Sequence, residues 1–102
     1  MDTRIISTLP TQERVDEIAR DLAPDVVRIR LTEAPDWSEH PALYFRVVLA
    51  DEAGRSDRLA DVTGRVSTKL FDELGLASLV DIPYFSFRTQ SEQAQLRDPE
   101  WE

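Results

Sequence analysis

Three runs of the chain alternate apolar with polar residues, and two others repeat apolar residues every three or four positions. In Val26-Val27-Arg28-Ile29-Arg30-Leu31-Thr32 the alternation sets Val27, Ile29 and Leu31 on one side and the arginines on the other. Leu43-Tyr44-Phe45-Arg46-Val47-Val48-Leu49 repeats it with Leu43, Phe45, Val47 and Leu49 inward, and both runs read as half-buried strands. A third strand, Ile82-Pro83-Tyr84-Phe85-Ser86-Phe87-Arg88, turns Phe85 and Phe87 inward. Pro83 cannot donate to a ladder, so this strand lies at an edge or begins with a residue outside the sheet. Val15, Ile18, Ala19 and Leu22 predict a helix capped by Thr11 and stopped by Pro24. Leu59, Val62, Val66, Leu70 and Leu74 predict a second helix, capped by Ser56 and ended by Gly75.

The order is therefore helix, strand, strand, helix, strand. Residues 33–41 hold two prolines, which argues against a regular ladder, and form the longest loop of the domain between the arms of a hairpin. A right-handed crossover brings the third strand back most economically beside the first, giving a strand order of 2-1-3. The expected fold is one α+β domain over residues 1–102, a two-layer sandwich with a mostly antiparallel three-stranded sheet and both helices on one face. Residues 1–10 read as an N-terminal arm or an added edge strand, and residues 89–102 as a polar, acidic tail.

That arrangement leaves the second sheet face open, and the alternation gathers Arg28, Arg30, Arg46 and Arg88 on it with Tyr44 and Tyr84. No acid of the three runs falls there. Guanidiniums and phenols together suit an acidic or carbonyl-rich protein partner, and the same arginines suit a phosphate, a nucleotide or single-stranded nucleic acid. The plainer reading is an ordinary solvated face whose arginines pair with neighbouring acids. The tail is itself a candidate occupant, with Glu92, Asp98, Glu100 and Glu102 for charge and Trp101 as apolar anchor. Trp37, in the 33–41 loop, reads as a lid on the core or part of an interface.

Charge narrows the choice of partner. With 20 acids against 12 bases the chain carries a formal charge of -8, which repels duplex DNA and an anionic membrane. It has no cysteine, so disulfides, thiolate metal sites and cysteine nucleophiles are excluded, and a cytoplasmic location is expected. No signal peptide or apolar membrane span is read in it.

Catalytic chemistry finds little purchase. His40 is the only histidine, and its spacing from Asp36 and Glu39 matches no metal motif. The acids at Asp51-Glu52, Asp57-Asp61 and Asp72-Glu73 read as solvated charge, and neither a nucleophile elbow nor a glycine-rich phosphate cradle occurs. No catalytic residue, metal or cofactor is expected.

Tyr44-Phe45-Arg46-Val47-Val48-Leu49, the second helix, then Ile82 to Thr89 and Ser91-Glu92-Gln93-Ala94 resemble a family of small bacterial proteins. Its members are similar to operon partners of HEPN-type helical proteins, in the manner of toxin–antitoxin pairs. The resemblance implies partnership: an antitoxin-like, non-catalytic interaction module, alone or as a homodimer through a free strand edge. The minimal nucleotidyltransferases of such pairs carry a Gly-Ser finger and an Asp-x-Asp strand. This chain has neither, and Asp51 and Glu52 follow Leu49-Ala50 without the finger.

Overall fold

The computed structural model describes residues 9–102. The expected N-terminal arm falls outside them except for Leu9 and Pro10. Helix α1, Gln12–Asp21, starts where Thr11 accepts a hydrogen bond from the Arg14 amide at 3.1 Å, and it buries Val15, Ile18 and Ala19.

Strands β1 (Val26–Pro35) and β2 (Pro41–Leu49) pair antiparallel from Val26 opposite Leu49 to Pro35 opposite Pro41. The ladder runs further than expected, leaving only residues 36–40 as loop. Both prolines sit at the outermost rung, where a missing amide donor costs least. Strict alternation also fails at one residue. A register shift between Val26 and Arg28 makes Val27 the extra residue of a bulge, so Val26 enters the core and Val27 faces solvent.

Helix α2, Leu59–Glu73, begins three residues after Ser56, which does not cap it; the main-chain oxygen of Arg55 accepts from the Leu59 amide instead. Gly75, at φ 61°, takes the left-handed conformation just past the helix end, as expected. Helix α2 delivers the chain to strand β3, Ile82–Thr89, which lies parallel to β2 and next to it.

The sheet order is thus β1-β2-β3, with one antiparallel and one parallel pair, and the expected 2-1-3 order is wrong. Two features account for it. The outer edge of β1 is occupied: the Gln12 carboxamide donates to the Ile29 carbonyl oxygen at 2.7 Å and accepts from the Leu31 amide at 2.8 Å. The aromatic rungs of β2 and β3 also match, Tyr44 stacking on Tyr84 at 5.2 Å and Phe45 on Phe85 at 5.3 Å between ring centroids.

Helices α1 and α2 share one core with the sheet, in which Val15, Ile18, Val62, Val66 and Leu70 meet Ile29, Phe45 and Val47. The two-layer α+β expectation holds on that side. On the other side the face is not bare. A third helix, α3 (Gln90–Leu96), follows β3 at once, and a 3-10 turn at Pro99–Trp101 packs back on β1 and β2. Among the described residues no helix is long and apolar enough to cross a membrane.

Candidate functional site

The register places Arg28, Arg30, Arg46 and Arg88 on the face away from α1 and α2, with Tyr44, Tyr84 and Val48. Arg30 stands directly opposite Arg46, a like-charge pair across two strands that needs nearby anions. The tail supplies them. Arg28 Nε donates to the Trp101 main-chain oxygen at 2.9 Å, and its guanidinium meets Glu102 at 3.0 Å. Arg30 donates to the main-chain oxygen of Glu102. Arg46 meets Glu100 at 3.5 Å and donates to Thr32 Oγ1 at 3.0 Å. Arg88 meets Asp98 at 3.7 Å, and its guanidinium lies 4.0 Å above the Trp101 ring centre. Trp101 is only 6% exposed, and Val48, in register with both Arg28 and Arg88, is fully buried.

The expectation of an open arginine surface is therefore corrected: the arginines do share a face, and the chain's own tail occupies it. Of the two readings of residues 89–102, the clamp is the one found. Local chemistry builds it. Thr89 and Glu92 form a reciprocal capping box, with Glu92 Oε1 accepting from the Thr89 amide at 2.8 Å and Thr89 Oγ1 from the Glu92 amide at 3.2 Å. Asp51 accepts from the Ser91 amide at 2.9 Å and Oγ at 2.6 Å, and these bonds, the hydroxyl's above all, hold its carboxyl below the usual range. Gln93 is the hub: buried, it accepts from Arg88 at 2.8 Å and donates to the Asp98 carbonyl oxygen at 2.7 Å and to Glu102.

Tyr44 and Tyr84 have separate roles. Arg46 lies 5.4 Å from the Tyr44 ring centre, so that ring belongs to the arginine cluster. Tyr84 instead reaches the hairpin tip, where its hydroxyl donates to Asp36 Oδ2 at 2.9 Å. Asp36 Oδ1 accepts from the Ser38 amide at 2.9 Å, Ser38 Oγ at 2.7 Å and the His40 amide at 3.0 Å. These bonds, that of the Ser38 hydroxyl first, outweigh burial and lower the Asp36 carboxyl to about 2. The Asp36 bond, with burial second, raises the Tyr84 phenol. His40 is exposed and shares a hydrogen bond with Ser38 Oγ at 2.7 Å.

Trp37 is no lid. It sits at the tip of this loop with 93% of its surface exposed, far from the arginine cluster's own indole. Gln93, Asp36 and Asp51 are the site-building residues that pattern reading missed. Only the first had a signal nearby, the Thr89-x-x-Glu92 spacing that announces a helix in the presumed tail.

In comparison with known proteins, the chain matches no family model, no curated protein and no solved structure.

Proposed function

We propose that the chain is a non-catalytic protein-interaction module whose arginine and tyrosine face receives an acidic segment with an aromatic anchor, the tail being its resident stand-in. The observation that carries this is the occupied face itself: four guanidiniums and a buried apolar floor hold Asp98 to Glu102 through one indole and several ion pairs. Glu100 and Glu102 are mostly solvent-exposed, and pairs of that kind contribute about 1 kcal/mol or less each. A partner segment with a better-fitting anchor then displaces the tail, and the tail keeps weaker ligands off. The resemblance to operon partners of HEPN-type proteins supports an antitoxin-like role, and the lack of cysteine supports a cytoplasmic one. The unpaired edge of β3 among the described residues is where a second copy would join a homodimer.

A labelled peptide of residues 97–102 tests the reading. It should bind Trp101→Ala, whose anchor site is vacated, much more tightly than the intact chain, and an added Arg88→Ala should remove that binding. Equal binding to both proteins overturns the proposal, as does saturable, salt-sensitive binding of ATP or inorganic phosphate in place of peptide, which favours the alternative nucleotide- or phosphate-binding reading.

A further inference from the structure

The hairpin end of the molecule is a second surface, built from residues 33–42 and 75–83. Trp37 and Val80 are 93% and 87% exposed, the two most exposed large apolar side chains among the described residues, and Ile82 is also open. Ile82 is in register with Ala42, which places β3's first residue beside the hairpin. Glu33, Glu39 and Asp81 flank one shallow depression of about 300 Å³ there. Neither segment contains a lysine or arginine. These two segments are therefore apolar and acidic among the described residues, unlike the arginine face.

The backbone that carries this indole is fixed. Asp36 fixes the loop through four hydrogen bonds, and Glu39 adopts the left-handed conformation at φ 68°, a costly geometry for a residue with a side chain. An aromatic carried on an ordered backbone loses little main-chain freedom on binding, which lowers the cost of using it as an interface anchor.

The molecule also illustrates what receives such a group. The loop reads Pro35-Asp36-Trp37-Ser38-Glu39, and the segment seated on the arginine face reads Pro99-Glu100-Trp101-Glu102. Proline, acid, tryptophan and a following glutamate recur in that order. In the second case the receiving chemistry is a guanidinium over the indole and further guanidiniums on the flanking carboxylates.

We propose that the hairpin end docks into an arginine-lined apolar pocket on a different protein, with Trp37 as the anchor and Glu33, Glu39 and Asp81 facing the partner's cations. A second copy is the poorer occupant, because its arginine face already carries its own tail, which would first have to leave. The proposal stands on a different surface from the arginine face and does not depend on what displaces the tail.

The test is site-specific photocrosslinking. The full chain, with a benzophenone amino acid at Val80, is irradiated in a lysate of its source cells. One protein should be captured, its adduct mapping beside arginines, and the yield should fall about tenfold with Trp37→Ala and markedly with Glu39→Lys. Asp61→Lys, an equal charge change on the exposed side of α2, should leave the yield unchanged. Any of four results overturns the proposal: no adduct, an adduct to a second copy, a yield indifferent to Trp37→Ala, or an equal loss with Asp61→Lys.

Discussion

Asp36 shows how one carboxylate orders a loop. Ionised, it has only acceptors to offer, and the hairpin loop together with Tyr84 of β3 points two hydroxyls and two amides at it. Because the folded protein lowers its pKa to about 2 against an ordinary value of 3.8, the unfolded chain binds the proton more readily at mildly acidic pH. Its contribution to stability is complete above about pH 4 and is lost as the pH falls through 2. A carbon-detected NMR titration should place the Asp36 midpoint near 2. Asp36→Asn should bring the Tyr84 phenol back toward its ordinary range, read by absorbance at alkaline pH in a Tyr44→Phe background. None of this is visible in the sequence, where Asp36 is one acid among 20 in a proline-flanked loop.

At the scale of elements, the strands and the two long helices were legible because each carries an unbroken apolar period. Thr11 and Gly75 marked their boundaries, but others were not legible. The bulge at Val27 leaves no mark in a run of two identical valines, and the start of α2 is set by backbone bonds instead of a capping side chain. Strand order depended on contacts between distant segments. One clue was present, the Tyr-Phe dipeptide shared by β2 and β3, which falls into aligned aromatic rungs only in the parallel register. The other determinant, Gln12 bonded to the edge of β1, looks like any polar residue in a first helical turn. Gln12→Ala should destabilise the fold by about 1–2 kcal/mol in urea denaturation, with faster hydrogen exchange at the Leu31 amide. An unchanged Leu31 rate would show that the carboxamide does not protect the edge.

Across the whole molecule, acidic residues predominate while four arginines converge, and the tail reconciles the two. The candidate site was legible as far as the shared face of Arg28, Arg30, Arg46 and Arg88 and the tail as one candidate occupant anchored by Trp101; that the tail docks was not decided by the pattern, because it rests on Gln93 and on the turn of α3. The anchor should dominate the charges. Trp101→Ala should lower unfolding free energy by about 3 kcal/mol, and Glu100→Gln by less than about 1 kcal/mol. A larger effect of the glutamate than of the tryptophan would reverse that ranking.

The Gln12 contact has a further consequence for growth of the sheet. With the middle of one border blocked by a side chain of the same molecule, a strand from elsewhere attaches more readily at the opposite border. Two molecules joined there would each present the blocked border outward. Growth by that route is disfavoured beyond the pair.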